Sequence, residues 1–306
     1  MANLFKSLFK STKKTEKKSE PNKDFEILKY DGIRALQMGK VDFAITCFEH
    51  ALDLEEDFET RTYLGNSYIR MECFHEAIDV FSQLFEKEPN HLPTLQTLTQ
   101  LFHITSNYTE VKKYSLLGVE KAENPSFFNY MLAIAYKEEN DLIQAMVEVS
   151  NAITQDPHFI EARLLRVQLL VLLMQYKECS TDLDEIFSIQ PEHEGALELQ
   201  AEVFQKINKE DEAITTYQQL IALNPFAERA YVQLGNLYIN RNEIELAHKC
   251  VEDGLELLPE SVDLLTVRAK IAVLSGKKEE ASKYLQQAVE LKPEELQQLS
   301  GTFTSK

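Results

Sequence analysis

The sequence predicts an all-α fold, a solenoid of about eight helix-turn-helix repeats of 34 residues each. Three observations predict it. Pro157, Pro191, Pro225, Pro259 and Pro293 recur every 34 residues, and Pro89 lies two such intervals before Pro157. Within that period, apolar residues recur at helical spacing rather than in the alternation of a strand. Gly and Pro number only nine each in 306 residues, too few for the many turns of a β fold.

With the ladder proline at repeat position 32, repeats open at residues 58, 92, 126, 160, 194, 228 and 262, and a unit one residue short opens at Phe25. Positions 4, 7, 8 and 11 form one apolar stripe and predict a first helix. Positions 20, 24 and 27, as in Ala77, Phe81 and Leu84, predict a second. A small residue at positions 8 and 20 lets the two backbones approach, and a large one at position 11 fills the space beside them. Gly39 and Gly276 at position 15 mark the turn between helices, and the ladder proline stops the second helix because it lacks an N–H.

The strings LGNSYIRMECFHEAIDVFSQLFEKEPN from Leu64 and LGNLYINRNEIELAHKCVEDGLELLPE from Leu234 carry the full pattern. It resembles the tetratricopeptide repeat family, over residues 25–295, with 1–24 as a basic tail and 296–306 as a short C-terminal cap or tail. The resemblance implies a right-handed α-α superhelix whose first helices line a concave groove. Two departures stand out. Tryptophan is absent, and the repeat at 92–125 carries Thr99, Val111, Ser115, Gly118 and Glu123 where the family prefers other types.

Composition excludes several functions. Residues 1–23 carry seven Lys against Glu16 and Glu20, while the rest holds 25 basic and 48 acidic residues. A body of net charge −23 repels phosphate backbones, so nucleic acid is not an expected partner. The longest apolar run, Leu169 to Met174, falls far short of the about 20 residues of a membrane span. Cys47, Cys73, Cys179 and Cys250 are scattered without Cys-x-x-Cys spacing, which suits a reducing cytoplasm. Phosphate-loop, dinucleotide, zinc-protease and serine-nucleophile motifs are absent, and the seven histidines are dispersed. The expectation is a protein with no catalysis, no cofactor and no metal.

The family implies that positions 2, 5, 6, 9, 12 and 13 of the first helices grip a partner peptide. Here the second repeat offers Tyr63, Asn66 and Arg70, and the fourth Phe127, Tyr130, Met131 and Ile134. The fifth offers Leu164, Leu165, Gln168, Val171 and Leu172, and the sixth turns acidic with Glu198 and Glu202. Arg229, Gln233, Asn236 and Asn240 follow in the seventh and Lys270 in the eighth. The middle of the groove is thus apolar, with Tyr130 and Ile134 expected to be accessible to solvent. Against this stands the plainer alternative that repeats four and five simply pack more tightly. The family's chaperone-tail clamp is disfavoured: Lys29 fits its first slot, but Ile33, Tyr63, Pro93 and Thr97 do not fit the others.

In the N-terminal tail, Leu4, Phe5, Leu8 and Phe9 share one face of a short helix, with lysines mostly elsewhere. Three readings stay open: a solubilising disordered tail, weak peripheral contact of residues 1–18 with an anionic inner membrane surface, or docking into an acidic partner or into this protein's own groove. The functional expectation is a cytoplasmic scaffold or adaptor holding a peptide of another protein. A membrane-surface assembly factor and a regulatory subunit of a separate enzyme are the rivals, and the oligomeric state is not legible.

Overall fold

The computed structural model describes residues 23–292, so residues 1–22 of the tail, Pro293 and the C-terminal cap lie outside the described residues, while Lys23 and Asp24 open the first helix. Sixteen α-helices and one 3-10 turn, with no strand, make up the described residues. They divide into two compact bodies, one ending at Lys121 and one beginning at Ala122.

The first body contains α1 (Lys23–Gln37), α2 (Val41–Leu54), α3 (Phe58–Arg70), α4 (Phe74–Lys87), α5 (Leu92–Ile104) and α6 (Tyr108–Lys121). The second contains α7 (Ser126–Glu138), α8 (Leu142–Gln155), α9 (Ile160–Leu172), α10 (Cys179–Ile189), α11 (Glu194–Lys206) and α12 (Glu210–Leu223). It continues through α13 (Glu228–Asn240), α14 (Ile244–Leu257), α15 (Val262–Leu274) and α16 (Lys278–Leu291). Odd helices are the first and even helices the second of each pair. The 3-10 turn, Tyr176–Glu178, leads into α10.

One turn geometry joins the helices of every pair. Position 15 has positive φ in all eight repeats: Gly39, Glu72, Ser106, Asn140, Met174, Asn208, Asn242 and Gly276. The next residue's N–H then reaches back to the position-11 carbonyl, as in Cys73 N to Tyr68 O at 2.9 Å and Gln175 N to Leu170 O at 2.8 Å. This six-to-one bond satisfies a carbonyl that the helix end leaves open. At the N-termini, Asp57, Asp141 and Ser261 cap α3, α8 and α15, and the ring Nδ1 atoms of His91 and His193 do the same for α5 and α11.

The core rests on exchange of volume between positions 8 and 24. A Cβ on Gly32 would fall 2.5 Å from the Phe48 ring, and one on Gly65 would fall 2.7 Å from Phe81. Phe48 and Phe81 are buried there, each stabilising by about 2–3 kcal/mol. The repeat at 92–125 reverses the exchange, with Thr99 at position 8 and a small Ser115 at position 24, both buried. Tyr114 supplies the missing bulk, stacked on Phe102 at 5.3 Å and edge-on to Phe85 at 5.7 Å. Thr99 Oγ1 donates to Leu95 O at 2.8 Å, but the buried Ser115 hydroxyl has no partner.

Positions 3 and 10 also belong to the core, which the apolar pattern did not show. Thr60, Thr94, Ala162, Ala196, Ala230 and Leu264 at position 3 are buried. Position 11 is mixed: Tyr238 is buried, whereas Tyr68 is half-buried with its hydroxyl donating to Glu49 at 2.7 Å.

Candidate peptide-binding face

In the second body, α7 lies against α9 and α9 against α11, so their side chains form one face. The apolar end of that face is less open than the sequence suggests. Ile134 is buried at 9% exposure, and Met131 and Leu165 are buried as well, because α7 packs on α9 in addition to α8. The expectation that Ile134 is accessible is therefore corrected: it is a packing residue. Phe127 is half-buried, edge-on to Phe128 at 5.1 Å. Tyr130 is half-buried too, with its ring 5.0 Å from Phe159. Burial, and then the Glu161 carboxylate, raise its phenol above the ordinary pKa. Leu164 and Val171 are half-buried, while Gln168 and Leu172 are exposed.

Farther along, the polar groups are partly engaged with one another. Arg229 of α13 reaches Glu198 at 2.8 Å and Glu202 at 3.3 Å, two carboxylates one turn apart on α11. Lys270 donates to Asn236 Oδ1 at 3.2 Å, linking position 9 of α15 to position 9 of α13. The Asn236 amide also donates to Val232 O at 2.9 Å, so both ends of this side chain are in use. Gln233 is half-buried and Asn240 exposed.

The first body places its candidates on α3. Tyr63 stacks on Phe48 at 5.6 Å and donates to Glu59 at 3.2 Å, which makes it half a packing residue. Asn66 and Arg70 are exposed, with no hydrogen-bond partner among the described residues. Lys29 is held by Asp57 at 2.9 Å and Glu59 at 2.7 Å. Burial alone would lower its ammonium pKa, but the two carboxylates together raise it above the ordinary value. A lysine so engaged is a poor anchor for a carboxylate ligand.

Two of the cysteines, Cys179 and Cys250, are set in the core. Burial first of all pushes the thiols of Cys179 and Cys250 up to about 11 and about 12, which leaves little thiolate at neutral pH. No group of three or more His, Cys, Asp and Glu is placed to hold a metal among the described residues. None of the described helices is long and apolar enough to cross a membrane. Sequence reasoning missed Phe159 and Glu161 as neighbours of Tyr130. The signal was available: Glu161 occupies position 2 of α9.

The tetratricopeptide repeat model matches residues 228–260 and 262–295, and a second model of the same repeat matches 196–227. Residues 196–295 carry tetratricopeptide repeats. No curated protein matches the sequence. Among solved structures, a chain of the APC/C hetero-tetramer Cut9-Hcn1 is 13% identical with a TM-score of 0.59, covering 90% of this chain and 54% of that one. PilF of Pseudomonas aeruginosa is 17% identical with a TM-score of 0.57, covering 69% of this chain and 96% of that one. At such identities these likenesses show the fold alone. The tetratricopeptide repeats and the sixteen described helices support an interaction scaffold.

Proposed function

We propose that this tetratricopeptide-repeat chain is a non-catalytic scaffold that holds a peptide segment of a partner protein along α7, α9 and α11. The observation that carries the reading is the row Tyr130, Gln168 and Leu172. An exposed leucine at 53%, an open amide and a half-buried phenol project from neighbouring first helices and complete no core. Contiguous apolar surface rimmed by polar groups marks an interaction site. Asn66 and Arg70 offer open polar groups at corresponding repeat positions of the first body, and an amide can hold a peptide backbone as both donor and acceptor. Asn236 and Lys270 are weaker contributors, since a partner would first have to separate them.

Affinity capture from the native host, identified by mass spectrometry, tests this with Tyr130→Ala alongside the native chain. The reading expects captured partner to fall by about 1–3 kcal/mol in affinity with the thermal melt little changed. A sharp drop in melting temperature, with binding reduced only in proportion, would make Tyr130 core and misplace the site.

The same reading puts the chain in the cytoplasm, with nucleic acid excluded as a partner by the acidic body. The lysines and paired apolar residues of 1–18 support peripheral contact with an inner membrane surface as the alternative. Flotation with anionic liposomes, comparing the full chain with one lacking the tail, separates the two readings.

A further inference from the structure

Charge around this face specifies the partner further. Positions 2, 5 and 9 of α7, α9 and α11 carry Glu161, Glu198 and Glu202 and no cation of their own. Lys137 and Lys206 stand at positions 12 and 13, in the last turn of their helices, where Lys137 lies 3.8 Å from Glu138. Among the described residues, the single cation engaging the carboxylates of α11 is borrowed from the next repeat: Arg229, whose side chain is 62% exposed while it bridges Glu198 and Glu202. Two half-buried carboxylates thus share one guanidinium and keep a net negative charge. An exposed bridge of this kind is weak, because water screens it and the arginine loses side-chain entropy in making it. A second cation arriving on a segment that also covers Leu172 would meet the same carboxylates with water excluded, where the attraction is stronger.

We infer that the segment bound on α7, α9 and α11 is basic and amphipathic: its apolar side chains cover Tyr130 and Leu172, and a lysine or arginine takes the Glu198–Glu202 pair from Arg229. This rests on the peptide-binding reading and adds the sign of the ligand's charge. Arg229 is then a placeholder. It offsets one of the two carboxylate charges in the empty state and competes with the ligand in the bound one, which predicts that removing it tightens binding.

The test is fluorescence anisotropy on the full chain with two labelled probes, a Leu–Lys peptide of about 18 residues with leucines at helical spacing and its Leu–Glu counterpart. The Leu–Lys probe should bind and the Leu–Glu probe should not. Glu198→Gln with Glu202→Gln should weaken the Leu–Lys probe about tenfold, and Arg229→Ala should strengthen it about threefold or more. Opposite shifts from two neighbouring substitutions cannot come from misfolding. Equal binding of both probes, no binding of the Leu–Lys probe, or indifference to both sets of substitutions overturns the inference. If Leu172→Asp abolishes binding while the charge variants change nothing, the peptide face stands and the basic-partner inference falls. If Leu172→Asp is also silent, the face itself is wrong.

Discussion

Asp182 of α10 accepts a hydrogen bond from Arg163 of α9 at 2.8 Å, with both side chains buried. Arg166, one turn on, closes a second pair on the same carboxylate at 2.6 Å, and Arg163 also donates to Pro157 O. Three charged residues thus occupy core positions 4, 7 and 23 of a single repeat.

Removing one member of such a network strands the others without partners. Asp182→Ala should destabilise the second body by about 3–5 kcal/mol in a urea titration. Replacing Arg163, Arg166 and Asp182 together with apolar residues of similar volume should cost less than the single change, since no unpaired charge remains.

A packing test follows from the exchange between positions 8 and 24. Gly65→Ala should cost about 1–3 kcal/mol, because its new methyl meets a buried Phe81 ring that has nowhere to move. Ser115→Ala should be neutral or stabilise by up to about 1 kcal/mol, since it deletes a buried hydroxyl that has no partner. Chemical denaturation of each variant measures both signs.

Much of this architecture could be read from the sequence, for a definite reason. Each internal ladder proline stands two residues beyond a second helix, as Pro89 follows Lys87 and Pro225 follows Leu223, because proline cannot continue the hydrogen-bond ladder. Position 3 was hidden because most of its side chains are small or polar, as in Thr60, Thr94, Ala162, Ala196 and Ala230, and position 10 because it changes type along the chain, from Ser67 to Leu101, Ala135 and Ile271. Ser67 is buried at position 10 by donating to Tyr63 O at 2.7 Å, a local bond that hydrophobic spacing does not reveal. The candidate face was legible as a set of positions but not in its exposure. Whether Ile134 is floor or core depends on how closely α9 approaches α7, and the side chains of a neighbouring repeat decide that. Likewise the pairing of Arg229 with α11, and of Lys270 with Asn236, spans repeats.

The turns between helices make a third prediction. Met174 is 75% exposed at φ 59°, a left-handed conformation that costs a side chain about 1–2 kcal/mol. Met174→Gly should therefore stabilise by about 0.5–1 kcal/mol, after allowing for the greater freedom of glycine in the unfolded chain. Gly276→Ala should destabilise by about 1 kcal/mol. Thermal melts of the two variants should shift in opposite directions.

Acid should weaken the first body through Glu56. The Arg61 guanidinium, aided by Lys87 at 2.7 Å, holds its carboxyl at about 2, well below the ordinary carboxylate value. A depressed pKa contributes stability that is present above about 4.5 and is lost as pH falls towards 2. Glu56 is 44% exposed, so the contribution is limited to about 1 kcal/mol or less. Glu56→Gln should lower stability at pH 6 and flatten its decline between pH 4 and 2, as followed by urea midpoints.

The central claim, that the first helices of the second body hold the partner, is tested most directly by photo-crosslinking. A benzophenone side chain placed at Gln168 of α9 should capture the partner, while one at Gln219, exposed on the second helix α12, should not. Capture from Gln219 alone, or equal capture from both positions, would contradict the claim.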